Sequence, residues 1–433
     1  MQHRVCVHRV SVYLRFRTRL SQLRCMKKLH VLFKGWGQSW VLGTLADDGT
    51  HLLFEYTAEA LQRNIEFSPR HLQLQPQAFA NFPDYQQRLP GLIADALPDG
   101  WGLLLMDRLI AQTRLGLGRL SPLDRLAMIG DRAMGALAFE PALDSEPLTL
   151  DMNLLQLAKE SHQEMHTHDS VALKALMRLG GSPHGARPKA LVQYDENTQG
   201  ISTDESAAGE PWLIKFQALN EHKEVCAIED AYANLARSCH LQMPKTQYFD
   251  LDGQYAGFGV QRFDRTQGMR VPVHSLAGFL HADFRIPSLD YDTLLRATRL
   301  LTQNVQQLEL AFERCVFNVI FHNRDDHAKN LAFRMNQQMQ WELAPCYDLT
   351  FSEGPGGEHQ MSVVGEGRAP SKTHLLELAS RNGISAAQAK QVIERITACA
   401  GRFSEIAANY TIRKTTIQTI ARAIEINRTR MLN

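Results

Sequence analysis

The chain has 433 residues, of which 44% are hydrophobic and 21% are charged, and its formal net charge is +1. This composition is typical of a folded protein with more than one domain, and it excludes a disordered chain, a collagen-like repeat and a disulfide-stabilised miniprotein. The charge balance excludes a chain-wide basic surface for nucleic acid or anionic membrane. Seven widely spaced Cys without a CxxC pattern predict reduced thiols in the cytoplasm, and no apolar stretch predicts a transmembrane helix.

The first 25 residues differ from the rest, because they contain six Arg and neither Asp nor Glu. They lack the apolar core of a secretory signal, although an organelle transit peptide has a similar composition. We predict that residues 1–25 are an upstream extension before a second start at Met26, or else a disordered basic tail. The remaining residues are mildly acidic, with 41 Lys and Arg against 46 Asp and Glu.

Residues 26–150 are predicted to form one α+β unit. Apolar and polar positions alternate over residues 29–56, and the DDG at 47–49 indicates a hairpin turn between strands. Short helical patterns separated by Pro and Gly follow as far as residue 150.

Residues 151–268 are predicted to form a second, strand-rich unit. Strands are indicated at 189–195 and 210–217, a helix at 224–241, and a hairpin across the DG at 252–253.

Residues 269–433 have mostly helical periodicity, interrupted by one strand pair, NLAFRM and QWELAP. A Ser-x-x-Gln capping box at Ser385 predicts the start of the first of two C-terminal helices. We therefore expect a β-rich lobe, a mostly α lobe and a cleft between them.

The segment HNRDDHAKN at 322–330 is the most informative motif. Asp325 and Asn330 have the Arg-Asp-x-x-x-x-Asn spacing of a eukaryotic-type kinase catalytic loop, in which Asp accepts the hydroxyl proton and Asn holds a metal ion. Asp348, beyond the strand pair, is where such a kinase places its second metal-binding Asp. Two carboxylates or amides plus phosphate oxygens suit Mg²⁺.

Two simpler interpretations of this segment remain. Asp325 and Asp326 alone could form a solvated turn. His322 and His327 could bind zinc, but their separation is five residues instead of the helical four, and no Cys is close in sequence.

The predicted strand-rich unit at 151–268 contains residues suited to binding phosphate. The Gly-rich segment 180–189 runs into a strand and can expose backbone N–H groups to anions, although it is not a Walker A motif. Lys215 lies between apolar residues in a strand, where a kinase places its phosphate-binding Lys, unless it is an edge-strand lysine. The Glu that pairs with this Lys would lie on the following helix and could be Glu229 or Glu224. Of the two, Glu229 borders the apolar face of that helix.

Taken in order, these residues resemble the HipA-type serine/threonine kinases, the toxins of bacterial toxin–antitoxin pairs. The family segments are N-x-D-x-H-x-K-N at 323–330, L-x-P-x-Y-D at 343–348, S-x-x-G-A-x-x-K at 182–189, I-K at 214–215 and R-F-D-R at 262–265. The segments LPDGWG at 97–102 and GDRAMGAL at 130–137 resemble the leading subdomain of that family.

The resemblance implies an α+β, two-lobed, protein-kinase-like fold, with a β-rich N-terminal subdomain and N-lobe and a mostly α-helical C-lobe. It implies Asp325 as the catalytic base, with His327 and Lys329 beside it, and Asn330 and Asp348 as Mg²⁺ ligands. The residues expected to contact ATP are Ser182, Gly185, Ala186, Lys189, Lys215, Glu229, Gln261 and Phe263, although the family usually has Glu at position 261. Ser182 is also the expected autophosphorylation site, where a phosphate would add negative charge and inactivate the enzyme.

The resemblance further implies a protein substrate, such as an aminoacyl-tRNA synthetase, whose phosphorylation arrests growth. It implies a small helix-turn-helix antitoxin, HipB-like, as partner, with operator DNA bound indirectly through it. Two rivals remain. One is a catalytically silent corepressor in an antitoxin–DNA complex, and the other is a metal-dependent phosphohydrolase that uses Asp325, Asp326, His322 and His327.

Overall fold

A computed structural model of the chain describes residues 26–111, 120–143, 153–163, 183–204 and 206–433, with the single positions 173, 176, 177 and 179. The basic segment 1–25 and Ser182 lie outside the described residues. The described residues form two compact units. The first unit contains the described residues up to Glu221 together with Asp250–Pro272, and the second unit contains His222–Phe249 and Val273–Asn433.

The first unit begins with an antiparallel sheet in the order β4-β3-β2-β1-β5. Its strands are β1 Lys28–Phe33, β2 Trp40–Asp47, β3 Leu52–Tyr56, β4 Ala78–Phe79 and β5 Leu137–Glu140. The predicted DDG turn between β2 and β3 is confirmed, and the backbone N–H of Gly49 donates to the Asp47 carboxylate. Alternating positions of β3 are buried, so the period-two pattern in the sequence places one face of this sheet on a core.

Among the described residues, four α-helices lie between these strands. They are α1 Ala58–Arg63, α2 Gly91–Ala94, α3 Gly100–Ala111 and α4 Pro122–Ile129. α4 begins with a reciprocal capping box between Ser121 and Asp124 and has Pro122 at its first position, which is a favourable helix start. The buried side chains of α3 include Leu105, Met106, Leu109 and Ile110.

A second sheet of the first unit follows α5 Leu154–Gln163. β6 Lys189–Asp195 lies between β7 Gly200–Ser202 and β8 Glu210–Phe216. The chain returns to the first unit through β9 Thr246–Asp250, and β10 Ala256–Gln261 then pairs with β8. A small hairpin of β11 Arg265–Thr266 and β12 Met269–Arg270 ends the unit.

The second unit is mostly helical. Its helices are α6 Glu224–Ser238, α7 Leu276–Leu280, α8 Tyr291–Thr302, α9 Val305–Ile320, α10 Lys372–Arg381, α11 Ala386–Cys399, α12 Phe403–Ala407 and α13 Lys414–Leu432. One antiparallel sheet is formed by β13 Val273–Ser275, β14 Ala332–Met335 and β15 Trp341–Leu343. The capping box at Ser385 is confirmed, and the short helix α12 between the two long C-terminal helices was not predicted.

Helix α6 is held by residues from the far C-terminal part of the chain. The Glu224 carboxylate accepts hydrogen bonds from the backbone, the guanidinium of Arg413 and the Thr416 hydroxyl. The Tyr410 hydroxyl donates to the Asp230 carboxylate at 2.7 Å, and α12 packs against α6. Helix α6 is buried along most of its length. Its packing therefore depends on these segments near the C-terminus.

The predicted α+β architecture is confirmed, with β-rich structure in the first unit and mostly helical structure in the second. Within the described ranges, no helix combines the length and the apolar character that a membrane span requires.

Candidate active site

The predicted catalytic loop follows the buried helix α9 and precedes the β14–β15 hairpin. The Asn330 side-chain N–H₂ donates to the backbone carbonyl of Asp325 at 2.9 Å, and the Asn330 backbone N–H donates to the His327 carbonyl at the same distance. The five-residue spacing therefore closes the loop on itself. The amide nitrogen of Asn330 is used in this closure, so its side-chain oxygen is the atom suited to a metal ion.

Asp325, the predicted general base, has a partly exposed carboxylate. Its side chain is 48% exposed, and the Nε2 atom of His327 lies 3.9 Å from its carboxylate. Partial burial raises the pKa of Asp325 above the ordinary value, and the carboxylates of Asp348 and Asp326 raise it further, whereas His327 lowers it. A base with a raised pKa is closer to the range that is useful at neutral pH.

Asn330 and Asp348 line one small cavity, together with Asn323 and Asp326. Asp348 has a backbone φ of +56°, and the adjacent Tyr347 hydroxyl donates to the carbonyl of Lys329 at 2.6 Å. The side-chain oxygen of Asn323 is buried and has no hydrogen-bond partner among the described residues. These hard oxygen atoms fit Mg²⁺ that is also bound by phosphates. No cluster of three His, Cys, Asp or Glu suited to metal occurs in the described part of the chain.

Asp326, the neighbour of Asp325, is fully enclosed by hydrogen-bond donors. Its carboxylate accepts from the Tyr291 hydroxyl at 2.6 Å, from the Nδ1 atom of His359 at 2.8 Å and from the backbone N–H of Gln360 at 2.8 Å. Asn318 on α9 donates to the Tyr291 hydroxyl, which extends the network into the helix. The network holds the catalytic loop in place at Asp326. Because both oxygens of the Asp326 carboxylate already accept hydrogen bonds, they have little capacity to bind a metal ion.

Arg324 attaches a second segment to the loop. Its guanidinium donates to the carbonyls of Gly357 and Arg368, both at 2.8 Å, and it is almost fully buried. Together, Arg324 and Asp326 hold residues 357–368 against the catalytic loop. The sequence analysis missed these roles, because Tyr291 and His359 lie more than 30 residues from Asp326 and no local spacing indicates them.

His322 and His327 have different partners. His322 contacts the Glu353 carboxylate and the Asn427 side chain, and its ring stacks on Phe351. Burial lowers the pKa of His322, which favours the neutral ring. His327 instead packs against the ring of Phe284. These contacts give no support to a shared zinc site.

The first unit places two lysines opposite each other. Lys189 on β6 and Lys215 on β8 are a register pair, and both are buried. Lys189 Nζ donates to the carbonyl of His184 in the Gly-rich loop, and Lys215 Nζ lies 5.9 Å from the centre of the Phe258 ring. Two ammonium groups on directly opposite strand positions concentrate positive charge on one face of the sheet. This pair is suited to phosphate.

The R-F-D-R segment follows Gln261 and forms a buried charge cluster around Asp264. The Asp264 carboxylate accepts from Arg262, from Arg265 and from the backbone N–H of Gly135, all within 3 Å. Burial alone raises the pKa of Asp264, but the two guanidinium groups outweigh it and hold the pKa well below the ordinary value. The cluster fixes the chain on both sides of Phe263, beside the end of β10.

The helix Glu proposed for Lys215 lies on α6. Glu229 is buried there and belongs to the second unit, whereas Lys215 belongs to the first unit. The alternative, Glu224, is bound by Arg413 and Thr416 and is committed to holding α13. Glu229 remains the prediction for this role.

Two family models match the chain, and the more C-terminal of the two matches begins within the first structural unit. The HipA-like C-terminal domain matches residues 181–402, and the HipA N-terminal domain matches residues 34–140. These matches define the class: a HipA-type chain in which an N-terminal HipA domain precedes the domain that carries the Asp325 loop. The chain belongs to the HipA family.

A solved HipA structure supports the fold. HipA from the toxin–antitoxin system of Shewanella oneidensis MR-1, solved with HipB and its operator DNA, matches with a TM-score of 0.67 at 17% identity and covers 92% of this chain and 96% of that one. The Helicobacter pylori proinflammatory kinase CtkA matches with a TM-score of only 0.36 at 11% identity, over 52% of this chain and 89% of that one. A search of curated proteins gave no match. The predicted HipA-like fold is confirmed.

Proposed function

We propose that the chain is a Mg-ATP-dependent serine/threonine protein kinase that acts as a HipA-type toxin. The observation that carries the proposal is the catalytic loop, in which the side chain of Asn330 closes on Asp325 and the pKa of Asp325 is raised. Asp348 lines the same cavity as Asn330, and this proximity supports the proposal that both side-chain oxygens bind Mg²⁺.

In the proposed reaction, Asp325 accepts the proton of a serine or threonine hydroxyl as that oxygen forms a bond to the γ-phosphorus. The bond from the γ-phosphorus to the bridging oxygen breaks, and ADP leaves. Asn330 and Asp348 would hold Mg²⁺, which would supply positive charge for the phosphate oxygens. Lys215 and Lys189 bind phosphates, while His327 and Lys329 orient the groups around Asp325.

The proposed nucleotide site also uses Gly185, Ala186 and the residues Gln261 and Phe263 near adenine, with Glu229 ordering Lys215. Ser182 is proposed as an autophosphorylated residue, on the basis of the family segment at 182–189. The proposed target is a translation component in the cytoplasm, such as an aminoacyl-tRNA synthetase, whose phosphorylation arrests growth.

A HipB-like antitoxin is the proposed partner, with operator DNA bound through it. The support is that the Shewanella HipA was solved with HipB and operator DNA. The small net charge of the chain, +1, is consistent with a partner that carries most of the DNA contacts. Co-purification with the antitoxin encoded beside it, followed by an operator-binding assay with and without this chain, tests the assignment.

The kinase proposal is tested by intact-mass and peptide spectrometry before and after incubation with Mg-ATP. We expect the wild type to gain one phosphate, at Ser182, and to lose this activity when Mg²⁺ is chelated. Asp325→Asn is expected to slow transfer by about 10²- to 10⁴-fold, the usual contribution of a general base. Glu394→Gln, which removes an exposed carboxylate from α11, is the matched control and should behave as wild type.

Two results would contradict the proposal. Nucleotide binding without any phosphate transfer, to itself or to translation proteins, would favour the silent corepressor. Hydrolysis of phosphate esters in the absence of ATP would favour the phosphohydrolase.

A further inference from the structure

The Gly-rich loop, described here over residues 183–188, is bound by a turn from the HipA N-terminal domain. This turn, residues 97–101, is called the Asp99 turn. The Asp99 carboxylate accepts a hydrogen bond from the backbone N–H of Gly185 at 2.5 Å. The backbone N–H of Trp101 donates to the Gly185 carbonyl at 3.0 Å, and the His184 ring donates to the Leu97 carbonyl at 3.1 Å. One loop glycine is therefore held through both of its backbone polar groups.

The close approach of the two backbones requires glycine at position 100, and the positive φ at position 185 also favours glycine. Gly100 has a φ of +43°, and a Cβ atom there would lie 2.6 Å from the Gly185 carbonyl oxygen and 2.9 Å from the Cα of Ala186. Gly185 has a φ of +104°, and a Cβ atom there would lie 2.6 Å from the Nζ of Lys189. No side chain fits between the turn and the loop, so the contact is a built feature of the fold.

The Asp99 turn is rigid because it begins helix α3. The N–H groups in the first turn of a helix lack intrahelical partners, and the Gly185 carbonyl satisfies the one on Trp101. α3 is anchored by buried side chains, including Trp101, which is 2% exposed. The position of the loop is thus set by a helix 86 residues earlier in the chain.

The position of the Gly-rich loop also affects the position of Lys189. The ammonium group of Lys189 donates to the His184 carbonyl, and His184 is the loop residue that contacts Leu97. Lys189 in turn lies opposite Lys215. A shift of the loop would therefore move one of the two cations proposed to bind phosphate.

We propose that Asp99 is a positioning residue for nucleotide binding: the Asp99 turn holds the Gly-rich loop, and through it Lys189, in the place that receives the phosphates. The inference rests on the proposed kinase function for its nucleotide. The contact itself requires no kinase activity, so the two are tested by separate measurements.

The first measurement is hydrogen–deuterium exchange of the Gly185 amide, resolved by fragmentation of the peptide that contains it. Asp99→Ala removes the acceptor, and we expect this amide to exchange about tenfold faster, the effect of losing roughly one hydrogen bond. Asp99→Asn retains a side-chain oxygen that can accept the bond, so it should restore most of the protection. Asp107→Ala is the matched control, because it removes a carboxylate and its ion pair with Arg125 from the same helix but leaves the loop contact.

The second measurement is a calorimetric titration of the same proteins with Mg²⁺ and a non-hydrolysable ATP analogue. Asp99→Ala is expected to bind about tenfold more weakly, Asp99→Asn close to wild type, and Asp107→Ala as wild type. Unchanged or tighter binding by Asp99→Ala, with an exposed Gly185 amide, would overturn the inference. Wild-type exchange in Asp99→Ala would overturn it too, whatever the nucleotide affinity. A wild type that binds no nucleotide would refute the kinase proposal and the nucleotide role of Asp99, while the exchange data still decide the contact.

Discussion

Asp325 and Asp326 are neighbours in the catalytic loop, but their carboxylates have opposite surroundings. Asp325 is half exposed, with a raised pKa, whereas Asp326 is 1% exposed and is bound by Tyr291, His359 and a backbone N–H. The loop therefore separates a residue available for chemistry from one that maintains its geometry.

This difference predicts that substitutions at the two positions change the free energy of unfolding by different amounts. Asp326→Asn replaces one acceptor oxygen by a donor and leaves buried donors without an acceptor, so we expect a loss of about 2–4 kcal/mol in the free energy of unfolding. Asp325→Asn should change that free energy by less than about 1 kcal/mol, although it strongly slows the proposed transfer. Urea denaturation of both variants measures the difference. Equal stabilities would show that the network around Asp326 does not hold the loop.

At the scale of elements, the R-F-D-R segment connects strand β10 to the loop that contains Gly135. Asp264 joins Arg262, Arg265 and the Gly135 backbone, and Arg270 adds hydrogen bonds to the carbonyls of Gly135 and Leu137. The two family segments at 130–137 and 262–265 therefore meet.

This cluster predicts a pH-dependent stability. The folded pKa of Asp264 lies well below its unfolded value of about 3.9, so its contribution is fully present above that pH and is lost as the pH falls toward the folded pKa. Asp264→Asn should lower the unfolding free energy by about 3 kcal/mol at pH 7, and the gap to wild type should shrink below about pH 4. Denaturation curves at both pH values test this expectation.

The matched control for this variant is Asp283→Asn, which breaks the exposed pair between Asp283 and Arg285. A surface pair contributes less than about 1 kcal/mol, so this control should remain close to wild type at both pH values. A gap for Asp264→Asn that stays constant in acid would contradict the assigned pKa.

Local patterns in the sequence were sufficient for most elements. The alternation in KALVQYD predicts β6 with its observed bounds, and the strand pair around residues 332–343 and the capping box at Ser385 are confirmed. The spacing of Asp325 and Asn330 also gave the loop that the structure closes with a direct hydrogen bond.

Contacts between distant segments could not be predicted. Asp99 meets Gly185 across 86 residues, and His359 meets Asp326 across 33. Such pairs depend on how helices and loops pack in three dimensions, and one sequence carries no periodic signal for them. The motif LPDGWG could be recognised, but its role as a turn against the Gly-rich loop required coordinates.

For the whole molecule, nucleotide binding should be visible as added stability. A ligand that binds only the folded protein stabilises it by about 2.7 kcal/mol at 100 times its dissociation constant. We expect Mg-ATP to raise the melting temperature of wild type and of Asp325→Asn, but not of Lys215→Met, which removes the buried ammonium group proposed to bind phosphate.

Lys159→Met serves as the control for that experiment, because it removes an exposed lysine of α5 from the same unit. It should retain the full shift in melting temperature. A shift of wild-type size in Lys215→Met would show that Lys215 does not contribute to nucleotide binding.

The dependence of α6 on late segments has a consequence for biosynthesis. Glu224 cannot form its contact with Arg413 until Arg413 has been synthesised, 189 residues further along the chain. At about 5–20 residues per second, the ribosome needs roughly 10–40 s to cover that distance. During this interval the nascent helix α6 exposes a surface that later segments of the chain cover. We therefore expect chaperones and proteases to bind polypeptides that end before Arg413.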